Sequence, residues 1–376
     1  TADERTWRFD CPVLFLGEWC RLYNRKTLWM SMSGKVAWPL RLIGDKKSNN
    51  VDYLDKLSAK ILDEISLSLN HFHNTNHSSR YWNILLGHWL KRYLHVCHNR
   101  YFTIEQALKS NKIVSTTIFD STCFSFASLD SLSFNEACDN DVWNNMLYAR
   151  VLKNMDCTDI ELFLVDIKNE DFLKKSTTVL PARLTVIKQL IKTTCLYILP
   201  KFKKNNDAFI INSYLPKWQE IKLQIAFWQF PQRWQSPALL PSNVDIKKRD
   251  KLIIDSKPYI GFEKFVRDLL SEMIPICYLE GFTQLNQQAE TLPWPSKPKF
   301  IFTSNNFDTD EVFKAWAGLK AEEGAPYFAG QHGNNYGTEN GFDNWPEHVS
   351  VDNFFTWGWT NGSFKNIPAF IFKTDN

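Results

Sequence analysis

Short apolar runs alternate along this chain with longer stretches whose apolar residues return every three or four positions. "PVLFL" at 12–16 is a compact apolar run closed by Gly17, Glu18 and Trp19, the pattern of a buried strand opening into a polar loop. Leu54, Leu57, Ile61 and Ile65 recur at helical spacing between 51 and 69. Trp82, Leu85, Leu86, Trp89, Leu90, Tyr93 and Cys97 do the same from 82 to 97. "KIVSTTIF" at 112–119, stopping at Asp120, and "AFIIN" at 208–212, stopping at Ser213 and Tyr214, read as further strands. Helical patterns fall at 141–153, 182–198 and 260–273. Strands alternating with helices predict an α/β fold with a largely parallel sheet.

The segment "TLPWPSKPKF" holds prolines at 293, 295 and 298, which cannot continue a helix and favour an extended connection. It divides the chain into an N-terminal domain at 1–290, a linker at 291–299 and a second domain at 300–376. After it, "FIFTS" at 300–304 reads as a strand and "NNFD" as a turn. Asp308 with Glu311 three positions on resembles a capping box at the start of a helix over 309–323, with Gly324 as its C′ residue. "APYFAG" is the next strand, and "NFFTWGW" at 353–359 returns to the same sheet. A βαβ unit makes its two strands parallel, so Ser304, Asn305 and Asn306 should emerge on the same edge as Gln331, His332 and Gly333.

The 376 residues exceed the size at which one core usually stops growing, about 250–300 residues, which also favours two domains. A net charge of +3 is too small an excess to predict nucleic-acid binding. The 8 cysteines contain no C-x-x-C pair and sit in apolar contexts, as reduced thiols of a cytoplasmic protein do. Neither an apolar run long enough to cross a membrane nor an export leader is visible.

Candidate chemistry concentrates in "YFAGQHGNNYGTENGF" at 327–342. Neither GxGxxG nor GxxxxGK[ST] occurs, which argues against dinucleotide and triphosphate cradles. What remains is a helix N-terminus near 308–311, whose amides favour an anion, beside an imidazole able to donate to a phosphate oxygen. Gly333 allows close approach and Gly337 a left-handed turn after Tyr336. A structural histidine satisfied within a turn is the competing reading of His332.

"PVLFLGEWCRLYNRK", "HNTNHSSRYWNILLGHWL", "TSNNFDTDEVFKAWAGLKAEEGAPYFAGQHGNNYG" and "FFTWGW" together resemble a bacterial family of surface-carbohydrate biosynthesis transferases. That family is similar to GT-B glycosyltransferases, with two Rossmann-like domains facing a cleft. Its QHG element is similar to that of capsule 3-deoxy-octulosonic acid transferases and polyol-phosphate transferases. The resemblance implies a nucleotide-sugar donor, CMP-linked to an acidic ulosonic or nonulosonic acid, and a glycan or lipid-linked glycan acceptor. It implies a cytoplasmic enzyme, peripheral at the inner face of the membrane, with no metal and no cofactor beyond the donor. Independently of the resemblance, the roughly 80 residues after the linker are fewer than a Rossmann-like domain generally needs, so the second domain is expected to be incomplete here.

On this reading His332, Ser304 and the helix amides stabilise the departing phosphate, with Asn305, Asn306, Glu311, Gln331, Gly333 and Tyr336 around the donor. Glu18 is the first choice of base for the acceptor hydroxyl and Asp120 the second, although either could be a capping or salt-bridged acid. "NHSSRYW" brings His77 and Arg80, the latter suited to a carboxylate, and Trp19 joins them as an aromatic flanking the proposed cleft; a helix-start network is the other reading of His77 and Arg80. His71, His73 and His77 lack an acidic or thiolate partner nearby, so no metal site is predicted. Trp82, Trp89 and Trp316 are read as core, and the lysines at 201–204 and 247–251 as solvated loops. Two rivals remain: a CDP-polyol phosphotransferase, and a non-catalytic carbohydrate-binding or scaffold protein.

Overall fold

The computed structural model describes residues 1–40, 45–120, 125–167, 202–338 and 341–374, with side chains from 49 onward in the second of these stretches. The helix expected at 182–198 lies outside them. The chain forms two compact units, one of Thr1–Asn50, Arg92–Ser176 and Ile246–Pro275, the other of Val51–Lys91, Thr177–Asp245 and Ile276–Asn376. Among the described residues no helix is long and apolar enough to cross a membrane.

In the first unit, β1 (Val13–Phe15) pairs in parallel with β2 (Gly34–Val36). Trp7, Phe15 and Cys20 make a small core there, against which Trp29, Met32 and Val36 pack. β3 (Ser115–Phe119) pairs in parallel with β4 (Glu161–Val165). Helix Asp141–Asn154 starts at Asn140, whose side chain accepts from the Trp143 amide. The buried Asn145 fastens that helix to β3, accepting from the Phe119 amide at 2.9 Å and donating to Thr117 O at 3.1 Å. Helix Gly261–Met273 buries Phe262, Phe265, Val266, Leu269, Leu270 and Met273 along one stripe.

The second unit is built on a five-stranded sheet, parallel throughout, ordered β5 (Phe209–Ile211), β6 (Ile301–Thr303), β7 (Tyr327–Gly330), β8 (Asn353–Thr356) and β9 (Asn366–Pro368). The βαβ unit and the return of 353–359 to its sheet are both present. The sheet does not begin after the prolines, however: β5 comes from residues assigned by sequence to the upstream domain. The proline segment joins helix Phe282–Glu290 to β6 within this same unit. Its Trp294 is buried and packs on Phe209 at 4.7 Å and Trp316 at 5.1 Å between ring centroids. Prolines stop the helix, but the burial of one large aromatic makes the stretch part of the core.

Helix Glu311–Glu322 covers one face of the sheet, with Phe313 and Trp316 against Phe209 at 6.4 and 4.4 Å. Its N-cap is Asp310, accepting from the Phe313 amide at 3.0 Å, and not Asp308; Glu311 is therefore the first helical residue rather than the third. The chain leaves the helix through Gly324 at φ +98°, a left-handed conformation natural for glycine.

Candidate active site

Four strand ends meet along the carboxyl edge of the five-stranded sheet, since β5 to β8 run parallel in register. Most polar side chains gathered there are engaged within the protein. Ser304 is fully buried, and its hydroxyl donates to Ser213 O at 3.1 Å. The buried Gln331 carboxamide accepts from the Trp357 amide and Trp359 Nε1, both at 2.8 Å, and donates to Gly333 O at 2.8 Å. Asn306 donates to Asp310 at 2.6 Å. Glu311 is buried with Tyr278 at 2.6 Å and Lys314 at 2.9 Å. Ser304, Gln331 and Glu311 thus hold the edge together, whereas the sequence reading turned them toward the donor.

The helix N-terminus is also occupied. Asp310 caps it and further accepts from Ser236 at 2.6 Å. Burial pushes the Asp310 carboxyl upward against the hydrogen bonds from Ser236, Phe313 and Asn306. An approaching anion would meet that carboxyl group before the helix amides.

His332 is different. Its Nδ1 lies 3.0 Å from the Tyr336 hydroxyl, and among the described residues Nε2 has no hydrogen-bond partner. Tyr336 is itself buried and donates to Glu347 Oε1 at 2.9 Å. Glu347 Oε2 lies 3.4 Å from His88 Nε2, and His88 Nδ1 lies 3.7 Å from Asp308. Burial lowers the His332 pKa, Asp308 counteracting and Lys373 adding to the shift. Burial raises Glu347 to about 7 despite the Tyr336 hydrogen bond and Lys91. The Tyr336 phenol is pushed far upward by burial and by Glu347.

Two residues beside His332 escaped sequence reasoning. Lys373 donates to His332 O at 3.3 Å and sits 4.3 Å from the centroid of the Tyr214 ring, a cation–π distance. The Tyr214 and His332 rings lie 6.4 Å apart, stacked. Asn212 and Tyr214 both hold positive φ, 48° and 61°, an uncommon conformation for such residues that recurs at ligand clamps. Gly333 has open space where a Cβ would stand. Asn305 is half-buried at the same edge.

The remaining candidates lie elsewhere. His77 is 2.6 Å from Glu322, which also accepts from the Ser78 amide at 2.6 Å, and its ring stacks on Tyr81 at 3.8 Å. Arg80 donates to Ser350 O at 2.9 Å and Asp352 at 3.0 Å. His77 and Ser78 thus share Glu322 at the start of helix Ser79–Ser110, whereas the partners of Arg80 are 270 and 272 residues away. Glu18, Trp19 and Asp120 belong to the first unit. Glu18 opens a short 3-10 turn past β1, exposed and 3.6 Å from Arg21. Trp19 lines a cavity with Asn99, Arg100, Asp141, Asn144 and Tyr148. Asp120 follows β3, its amide bonded to Val165 O. Among the described residues no cluster of three or more histidine, cysteine or acidic side chains is placed to hold a metal, and the six described cysteines are free thiols.

No curated protein and no solved structure significantly matches the chain. The LIC12162 family of transferases is matched over residues 1–376, and the chain belongs to that family.

Proposed function

We propose that this transferase is a metal-independent glycosyltransferase of GT-B type, acting in bacterial O-antigen or capsule assembly. It moves an acidic ulosonic or nonulosonic sugar from a CMP-linked donor to a glycan or lipid-linked acceptor, in the cytoplasm and peripherally at the inner membrane face. The nucleotide sugar is a substrate, and no other cofactor has a part in this reading.

The observation that carries the proposal is the pairing of His332 with Lys373 around the Tyr214 ring, at the edge where open α/β sheets take their ligands. In the reaction an acceptor oxygen bonds to the anomeric carbon while the bond from that carbon to the phosphate oxygen breaks. CMP leaves with the electron pair. Negative charge grows on the phosphate, and His332 as imidazolium together with Lys373 stabilises it. The hydroxyl proton passes to a carboxylate, assigned first to Glu18 and second to Asp120.

Titration of CMP against the wild type and His332→Ala tests the phosphate role; equal affinities would remove it. Turnover with CMP-sugars against CDP-glycerol and CDP-ribitol separates sugar transfer from polyol-phosphate transfer, and activity with the polyol donors alone would replace the proposed reaction. Glu18→Gln is expected to lower turnover while CMP affinity is retained.

A further inference from the structure

We infer that binding of a phosphate group at His332 takes up one proton, held by the chain His332–Tyr336–Glu347, in which Tyr336 and Glu347 are positioning residues. The inference rests on the phosphate role proposed for His332.

A tyrosine hydroxyl has one proton to give. With Glu347 ionised, that proton goes to its carboxylate, which can only accept. The Tyr336 oxygen must then accept from His332, so the hydrogen of the neutral imidazole sits on Nδ1. Nε2 is left as a lone pair. A lone pair repels a phosphate oxygen and becomes useful to it only after gaining a hydrogen.

One added proton accomplishes this along either of two routes. It can bind Nε2 directly and make an imidazolium beside an ionised Glu347. Alternatively Glu347 takes it and donates to Tyr336, Tyr336 turns to donate to Nδ1, and the hydrogen of the imidazole moves to Nε2. Both microstates present an N–H to the ligand and contain one proton more than the resting chain, so the three residues titrate as a unit. The other groups facing this unit are Asp308, which favours the added proton, His88, 3.4 Å from Glu347 and 3.7 Å from Asp308, Lys373 and Lys91, which oppose a cation or favour an ionised Glu347, and the Tyr214 ring.

Long-range proton–nitrogen NMR of the imidazoles, recorded on the ligand-free protein above the titration, should show His332 as the Nδ1–H tautomer. Tyr336→Phe should release it to a mixture. An Nε2–H tautomer in the wild type would overturn the inference without reference to any substrate. Calorimetry of CMP, and separately of inorganic phosphate, in two buffers of unequal ionisation enthalpy above pH 7 should return uptake of about one proton per ligand. Affinity should fall about tenfold per pH unit above the titration of the chain. His332→Gln offers a donor needing no proton, so uptake should vanish and the pH dependence flatten. Phosphate binding that requires His332 but takes up no proton refutes the coupling. Phosphate bound with uptake while CMP fails to bind refutes the nucleotide reading alone, and binding of neither overturns both.

Discussion

Replacing Lys314 with methionine should destabilise the sheet unit severely. Lys314 has no exposed surface and Glu311 is 3% exposed. The ammonium donates at 2.9 Å to the Tyr278 hydroxyl and 3.2 Å to Asp308 O, and lies 2.9 Å from Glu311 Oε2. Methionine fills a similar volume but removes the ammonium that faces the buried Glu311 carboxylate, which keeps the Tyr278 hydroxyl. Removing one partner of a buried ion pair costs about 3–5 kcal/mol, because the stranded charge keeps its desolvation penalty. With a urea slope of about 1–3 kcal/mol per molar, the midpoint should fall by at least about 1 M. The double replacement Glu311→Leu with Lys314→Met removes both charges and should recover most of the loss, since an apolar pair can be neutral or stabilising in such a place. The assay is urea unfolding of the wild type, the two single variants and the double variant, followed by circular dichroism. A single-variant loss below about 1 kcal/mol, or a double-variant loss equal to the sum of the singles, would refute the account of Glu311 as half of a buried pair.

At Gly330 an added Cβ would stand 2.5 Å from Phe372, 2.8 Å from Ser304 Oγ and 2.9 Å from Phe302. Gly330→Ala should therefore cost about 1–3 kcal/mol by overpacking, and a thermal midpoint equal to the wild type's would show that the rings yield freely. Gln331→Ala strips acceptors from the Trp357 amide and Trp359 Nε1, at a cost of about 1–3 kcal/mol. Hydrogen exchange at Trp357 should accelerate; unchanged protection would mean that water replaces the carboxamide without loss. Burial tends to raise the Glu322 carboxyl, yet hydrogen bonds from Ser78 and His77 hold it below the usual range. Its folded pKa being depressed, the stabilisation is complete above the unfolded carboxylate's pKa and disappears as pH falls through the folded value. Glu322→Gln should flatten this acid limb of the stability curve, and parallel wild-type and variant curves would exclude the contribution.

The strands of the sheet unit were legible wherever an apolar run ended in small polar residues, as at 208–212, 300–304, 325–330 and 353–359. β9 gave no such run because "NIP" is short and carries a proline, acceptable at a sheet edge. β4 has Leu162 and Leu164 exposed and shows no buried face to read. The sequence reading put the helix cap at Asp308; the cap is Asp310, which also bonds to Ser236, 74 residues away. The same long range concealed how the polar strand ends are used. Ser304 finds its acceptor 91 residues away, and Gln331 its tryptophan partners 26 and 28 residues away. Sequence proximity located His332, but Glu347, His88, Tyr214 and Lys373 enter its surroundings only through folding.

These hidden partners change which forces can act on an anion at this edge. A helix N-terminus with free amides would supply positive potential without any titration. Here Asp310 occupies that position and accepts the third-position amide, so the helix offers little to an incoming phosphate. Ser304 has already given its hydrogen to Ser213 O, and Gln331 gives one of its two to Gly333 O. Positive charge then comes from Lys373 and from His332, whose outward nitrogen, in the proposed chain, has no hydrogen while Glu347 is ionised. Because a buried carboxyl tuned to about 7 stands two hydrogen bonds behind that nitrogen, a proton added near neutrality changes the edge from an acceptor to a donor. On the proposed coupling, anion affinity at this edge would be set by pH as well as by shape, which would not hold if the capping box and free strand-end hydroxyls expected from sequence were the binding groups.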